Sequence, residues 1–194
     1  MIIDFVLALA LLLPVLALVR SLYRTEIKNF NDMVPFLRRD NPESLEELLN
    51  HILESNLLLN LGHKQFRKEQ LKRIRLGLEF ITQRAHNAMF LQQWGDAECE
   101  KSRKTLDEEV MAAAQLLVQG CTEYRIGALW IRCQLHIWYI QMRLMPFLPV
   151  PQIARLRRVD SFDLLHSYAN IRIAAENLAS LCGGDCRERL AEVL

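Results

Sequence analysis

Apolar residues recur in alternating steps of three and four along much of this chain, and this period constrains the fold more than any other feature. The clearest series is Leu71, Ile74, Leu78, Ile81, Ala85 and Ala88. Such spacing places one apolar seam along an α-helix, and the seam is buried only when another helix packs against it. No useful segment alternates with period two, and no repeat of about 20 to 50 residues indicates a solenoid. The pattern predicts an all-α fold, a bundle of four to six helices.

Caps, glycines and prolines predict where the helices begin and end. The expected helices lie near 42–60, 63–94 and 97–145, and a last one ends at Gly183. Asn41 and Pro42 form a cap and a first-turn proline for the first of them. Gly95 predicts a break or kink between the second and third, and Gly120 and Gly127 leave open whether the helix over 97–145 is split. Asp160 and Ser161 are the expected cap of the last helix.

The N-terminal segment is apolar enough to cross a membrane. From Ile2 to Val19 the only polar residue is Asp4, and these 18 residues span about 27 Å as a helix, close to a hydrocarbon core of about 30 Å. Pro14 is tolerated in such a helix, and the basic start of a secretory signal peptide is absent. We expect a single transmembrane helix within an uncleaved anchor over 1–24. A cleaved signal peptide and a buried soluble helix are the alternatives.

The charges beside this segment predict its orientation. Arg20, Arg24 and Lys28 follow it, whereas the only charged side chain at its N-terminal end is Asp4, and positive flanks stay in the cytoplasm. The N-terminus is therefore expected outside a cell inner membrane and the helical domain in the cytoplasm, with a eukaryotic organelle membrane as the alternative. Five cysteines without regular spacing agree with a reducing compartment. The expected order is anchor 1–24, juxtamembrane connector 25–41, bundle 42–184 and C-terminal tail 185–194.

A basic cluster lies at the start of the helix predicted over 63–94. Its cations, here called the 64–75 cluster, are Lys64, Arg67, Lys68, Lys72, Arg73 and Arg75. They fit a solvated outer helix face, a contact with anionic headgroups or a contact with nucleic acid. No nucleic acid partner is expected, because no stacking-aromatic or helix-turn-helix signature accompanies them. The cluster is a candidate contact for the membrane surface or for a protein partner.

A second basic group lies in the helix predicted over 97–145. At about 100° per residue, an arc of about 40° contains Arg125, Arg132, His136 and Arg143, here called the basic stripe. Most other positions from Ile126 to Met145 are apolar, so this helix is expected to be buried on a wide face, with the stripe as its only wet side. The stripe is a candidate for binding an anion or an acidic partner. Solvent exposure or pairing with Asp107, Glu108 or Glu109 is the alternative.

No motif typical of an enzyme or of a cofactor site is found in the sequence. Asp163 and His166 resemble one half of a bundle metal site, but no second pair faces them. Cys182 and Cys186 lack the Cys-x-x-Cys spacing of redox and zinc centres. Phosphate loops, nucleophile elbows and His-Glu-x-x-His are absent. We therefore expect no enzymatic activity, no cofactor and no metal.

A membrane anchor followed by helical seams without catalytic motifs predicts an interaction or scaffold protein. It would act at the cytoplasmic face of the membrane, with membrane lipid around the anchor and a protein partner or a second copy on the bundle. The alternative is a bundle pocket that binds an anionic lipid or a phosphorylated small molecule, with or without catalysis. Burial of the basic stripe distinguishes them, because only a stripe that faces a cavity favours the pocket.

Overall fold

One long antiparallel pair of helices dominates the structure, a computed structural model that describes residues 27–39, 48–145, 147–153, 156, 158–159 and 162–193. The helices are α1 (Phe30–Met33), a 3-10 turn (Val34–Phe36), α2 (His51–Asn60), α3 (His63–Thr105), α4 (Glu108–Leu144), α5 (Leu164–Cys182) and α6 (Gly184–Val193). A short antiparallel pairing of β1 (Arg158–Val159) with β2 (Phe162–Asp163) precedes α5. The predicted all-α bundle is confirmed for this part of the chain.

The predicted transmembrane anchor, residues 1–24, lies outside the described residues. The helix start predicted at Asn41 and Pro42 and the cap predicted at Asp160 and Ser161 also lie outside them. None of the described helices combines the length and the apolar character that crossing a bilayer requires. The anchor and its orientation stay predictions.

A tight turn joins α3 to α4. Leu106 ends α3 in the left-handed conformation, with φ at 60° and ψ at 32°. Asp107 then caps α4, because its side chain accepts a hydrogen bond from the Val110 backbone N–H at 3.2 Å. The two helices run back along each other and bury the predicted seam residues Ile74 and Ile81 in the main core.

The break predicted at Gly95 is wrong, because α3 continues through it to Thr105. Gly95 is buried where α4 passes very close, and a Cβ added there would lie 2.9 Å from Val118 Cγ2 and 3.3 Å from the Ala114 carbonyl oxygen. This glycine therefore permits close helix packing instead of ending a helix. The split considered at Gly120 and Gly127 does not occur, because α4 is continuous from Glu108 to Leu144; the stretch 97–145 is interrupted at Leu106 and Asp107 instead.

The helix predicted over 42–60 is interrupted at Asn50. The side chain of Asn50 accepts hydrogen bonds from the backbone N–H groups of Ile52 and Leu53, at 2.9 and 3.2 Å, and so caps α2. Helix α2 therefore begins at His51, directly after this cap, and ends at Asn60.

The last two helices close the bundle. Asp163 caps α5 by accepting two backbone hydrogen bonds, at 3.1 and 3.0 Å. The predicted tail forms α6, whose Leu190 is buried in the main core. Arg189 of the same helix lies 5.7 Å from the Phe30 ring centroid and donates a hydrogen bond to Asn31 at 2.6 Å. Residues from the two ends of the described chain therefore meet.

Candidate functional site

The α3–α4 hairpin brings the two predicted basic groups together. Arg75, from the 64–75 cluster, donates a hydrogen bond to Tyr139 Oη at 2.8 Å, and its guanidinium lies 5.5 Å from the ring centroid. Arg143, from the basic stripe, lies 5.6 Å from the same centroid. The hydrogen bond from Arg75, with smaller contributions from the charges of both arginines, lowers the pKa of the Tyr139 phenol. The two groups therefore meet on one cationic surface around Tyr139.

Part of the 64–75 cluster holds the fold together. Arg67 donates hydrogen bonds to the carbonyl oxygens of Met142 and Met145, the latter at 3.0 Å. These carbonyls lie at the C-terminal end of α4, where the last turn lacks helical partners. A cation at this end also interacts favourably with the helix dipole. Arg67 is therefore engaged in joining the start of α3 to the end of α4.

Arg73 belongs to a buried polar network. Its guanidinium lies 3.7 Å from Glu54 Oε1 and donates a hydrogen bond to the Leu48 carbonyl oxygen. Glu54 also accepts hydrogen bonds from the Gln70 side chain and, at 2.8 Å, from the Ile153 backbone. Burial lowers the pKa of Arg73, and the charge of Glu54 opposes that shift. The network joins α2, α3 and the segment after α4, and sequence spacing gave no signal for it.

The remaining cations of the cluster face solvent. Lys64, Lys68 and Lys72 are exposed on successive turns of α3. Lys72 forms an exposed ion pair with Glu69 at 3.0 Å. Since such pairs contribute only about 0–1 kcal/mol, this row of lysines is free to contact another surface.

The basic stripe has two halves with different surroundings. His136 and Arg143 are exposed, whereas Arg125 and Arg132 are half-buried and line a groove between α3 and α4. Arg125 donates a hydrogen bond to the side-chain oxygen of Gln92. The stripe therefore faces a cavity over one half of its length and water over the other.

The groove is open, with a volume of about 450 Å³. Its lining consists of Thr82, Ala85, His86, Met89, Thr122, Arg125, Ile126, Leu129 and Arg132. Two buried atoms of this lining, Arg132 Nε and His86 Nδ1, have no hydrogen-bond partner among the described residues. Burial, and to a smaller extent the charge of Arg38, lowers the pKa of His86, so its imidazole is neutral at pH 7. The sequence predicted the two arginines but not His86.

The outer face of α4 is apolar, which the sequence analysis missed. Exposed residues on one line of this helix, here called the outer seam, are Ile126, Trp130, Cys133, Ile137, Ile140 and Leu144. The expectation that the basic stripe is the only wet side of this helix is therefore wrong. Apolar residues surround most of α4, and periodicity alone does not tell which apolar face has a partner.

The outer seam lies opposite the core and beside the basic stripe. At about 100° per residue, Ile137 points about 160° away from the buried Leu135. Arg125 and Arg132 lie between the outer seam and α3, whereas Gln134 borders its other edge. The α4 surface therefore carries an apolar line with cations along one side.

The sequence offered one residue pair for metal binding, Asp163 and His166, and one for thiol chemistry, Cys182 and Cys186. Asp163 is the cap of α5, and His166 is exposed. Cys182 and Cys186 are free thiols, and desolvation together with the charge of Glu98 raises the pKa of Cys182 to about 11. Within the described ranges, no three side chains of His, Cys, Asp or Glu are grouped so that they could hold a metal ion.

No family model, no curated protein and no solved structure matches this chain. Its function is therefore inferred from the site itself.

Proposed function

We propose that this protein is a membrane-anchored interaction protein whose outer seam binds an acidic amphipathic helix of a partner protein. The anchor is the apolar segment predicted over 1–24, and the bundle acts at the cytoplasmic face without enzymatic activity. The observation that carries the proposal is the outer seam, which extends over about 27 Å of α4. Contiguous exposed apolar surface of this kind is typical of interaction sites.

The spacing of the outer seam favours a helix as the occupant. From Ile126 to Leu144 the exposed side chains follow one another in steps of four and three, the register in which two helices pack side by side. A lipid surface requires no such register. It would also contact Gln134 and Gln141, which border the seam and would lose water there.

The charge beside the outer seam favours an acidic partner. Arg125, Arg132 and Arg143 lie along one edge, and Arg75 of α3 adds a fourth cation near Tyr139. A second copy of this chain would bring the same cations along its own seam, so self-association gains no charge complementarity. A partner helix with Asp or Glu beside its apolar line matches this surface in both respects.

Site-specific photocrosslinking of the full-length protein in native membranes tests the proposal. The reactive residue replaces Ile137 in the outer seam or, as a matched control, Ile173 on α5; these side chains are 57% and 56% exposed. We expect adducts at 137 with one protein, through a peptide that forms an acidic amphipathic helix, and none at 173. Arg143→Glu is expected to lower the yield at 137.

Other outcomes of this experiment would overturn the proposal. Adducts at 137 that contain only lipid would assign the outer seam to the bilayer surface. Adducts with α4 of a second copy would make the seam a self-association surface. Equal yields at 137 and 173 would show that the outer seam is not a specific binding surface. A yield that Arg143→Glu leaves unchanged would show that the cations beside the seam do not contribute to binding.

A further inference from the structure

The groove between α3 and α4 has the composition of a binding site for an anion. We propose that it binds a phosphate ester, carried either by a lipid headgroup or by a free phosphorylated small molecule. This inference does not require a protein partner, although the groove shares Ile126 with the outer seam and Arg125 and Arg132 with its charged edge. It rests on the charge, the unpartnered buried atoms and the apolar wall of the groove.

Among the described residues, no acidic side chain in the lining balances the positive charge of the groove. Arg125 and Arg132 are the arginines of the lining. His86 adds no charge at neutral pH, because its pKa is lowered by burial and by Arg38. Guanidinium groups bind phosphate through paired charge-assisted hydrogen bonds, so a phosphate ester supplies the missing negative charge.

Unpartnered buried atoms indicate where the ligand would bind. Arg132 Nε and His86 Nδ1 are both buried without a hydrogen-bond partner among the described residues. Buried polar atoms in native proteins are nearly always paired, so such atoms in a groove wall call for an explanation. Phosphate oxygens would accept from Arg132 Nε, and an ester hydroxyl or a bridging water would reach His86.

Arg125 is held in position before any ligand arrives. Its guanidinium donates to Gln92, and Gln92 in turn donates to Thr122 Oγ1 at 3.1 Å. Thr122 donates to the Val118 carbonyl oxygen at 2.8 Å, which ties the chain of hydrogen bonds to the α4 backbone. A side chain that is already ordered loses less entropy when it binds, so this arrangement favours binding.

The rest of the groove accommodates an apolar group. Met89 of α3 and Leu129 of α4 are among the apolar lining residues, and Ala85 and Ile126 complete this wall. The volume of about 450 Å³ lies within the range of small-molecule sites. The groove therefore has room for an apolar group beside the phosphate ester.

Titrations of the full-length protein in uncharged detergent micelles test the inference and distinguish the two sources. The probes are dioctanoyl phosphatidic acid, glycerol phosphate and, as a zwitterionic control, dioctanoyl phosphatidylcholine. We expect both phosphate monoesters to bind and to raise the thermal midpoint. Phosphatidic acid binding about tenfold or more tighter would support a lipid source, and equal affinities would support a free phosphorylated molecule. Absence of binding by both monoesters, or equal binding of phosphatidylcholine and phosphatidic acid, would overturn the inference.

Two arginine variants assign the binding to the groove. Arg132→Leu is expected to weaken phosphatidic acid binding by about tenfold or more, because a charge-assisted contact is lost. It is not expected to lower the thermal midpoint without ligand, because it removes a buried donor that has no partner. Arg187→Leu, at an exposed arginine on α6, is the matched control and should bind as the wild type does. Unchanged binding by Arg132→Leu would place the ligand elsewhere.

The outer-seam variant Ile137→Ser separates this inference from the proposed function. It should bind phosphatidic acid as the wild type does, whether or not the helix partner exists. Loss of phosphatidic acid binding in Ile137→Ser would show that the groove is not an independent site.

Discussion

Arg73 and Glu54 form a buried pair of opposite charges that joins α3 to α2. Removing Arg73 takes its ion pair with Glu54 and its hydrogen bond to the Leu48 carbonyl oxygen out of this buried network, while Glu54 keeps its contacts with Gln70 and Ile153. Breaking a buried pair by removing one partner costs far more than the pair contributes in net terms. The pair therefore makes α2 and α3 sensitive to single substitutions.

We predict that Arg73→Met lowers the free energy of unfolding by about 3 kcal/mol. Lys72→Met, at the exposed neighbouring position, is the control and should change it by no more than about 0.5 kcal/mol. Urea denaturation followed by circular dichroism measures both. Similar small losses in the two variants would show that the Glu54 network contributes little.

His86 makes the stability depend on pH. Its pKa in the folded protein lies below the ordinary value of 6.5, because burial and the charge of Arg38 disfavour the imidazolium. From about pH 6.5 downward the unfolded chain therefore binds more protons at this residue than the folded protein does, so stability is lost as the pH falls towards the folded pKa. Above that window the contribution of His86 does not change with pH.

We predict that His86→Asn weakens the loss of stability between about pH 7 and pH 5. The thermal midpoint of the wild type should fall more steeply over this interval than that of the variant. His136→Asn, at an exposed histidine of the basic stripe, is the matched control. Parallel curves for His86→Asn and the wild type would contradict the assigned direction of the shift.

Among the secondary-structure elements, α3 and α4 owe their close contact to one glycine. Alanine normally stabilises a helix relative to glycine by about 0.5–1 kcal/mol. At Gly95 an added Cβ would meet Val118 Cγ2 at 2.9 Å and the Ala114 carbonyl oxygen at 3.3 Å. At Gly120 of α4 the nearest atom would be Ile171 Cγ1, at an ordinary 3.6 Å. The same substitution therefore has opposite consequences at the two positions.

We predict that Gly120→Ala stabilises the protein by about 0.5–1 kcal/mol, whereas Gly95→Ala destabilises it by about 1 kcal/mol or more. The branched side chain of Val118 is stiff, so the contact at Gly95 is relieved only by moving the helices apart. Chemical denaturation of both variants gives the difference. Stabilisation by Gly95→Ala would mean that α3 and α4 are not in close contact there.

The positions of the helices were largely predictable from the sequence. The expectation that a helix ends at Gly95 did not, however, locate the turn between α3 and α4. Gly95 reads as a helix breaker in sequence and serves as a packing position in the fold. The run of Asp107, Glu108 and Glu109 carries the cap and first-turn acids of a helix start, and this signal locates the turn. Local capping chemistry was therefore more informative than glycine content.

The candidate site was predictable only in part, because burial depends on how the helices pack. Periodicity identified Arg125 and Arg132, and the groove contains both. It could not identify His86, which enters the site from α3. Nor could it separate the outer seam from the buried face, because both faces of α4 are apolar and only packing against α3 and α5 distinguishes them.

For the molecule as a whole, α6 connects the two ends of the described chain. Leu190 is buried in the core, and Arg189 contacts Phe30 and Asn31 of the N-terminal part. Lys101, near the end of α3, also donates to Asn29 at 2.9 Å. The last helix is therefore expected to stabilise the region where the chain emerges from the predicted anchor.

We predict that Leu190→Ala lowers the free energy of unfolding by about 3 kcal/mol, because it leaves a cavity in the core. Leu181→Ala, at an exposed leucine of α5, should lower it by less than about 1 kcal/mol. Guanidinium denaturation of the full-length protein measures both. A loss at Leu190 no larger than that at Leu181 would mean that α6 adds little to global stability.

The turn at Leu106 and Asp107 also affects the order in which the hairpin assembles. Beside the turn, Cys99 contacts the Met111 carbonyl across 12 residues of sequence, whereas Arg67 contacts Met142 across 75. Closing a longer loop costs more entropy, so distant pairs form more easily once nearer pairs have shortened the remaining loop. We therefore expect the contacts between α3 and α4 to form first beside the turn and then at increasing distance from it. The cationic end around Tyr139 should then close last and fray first, before the protein unfolds globally.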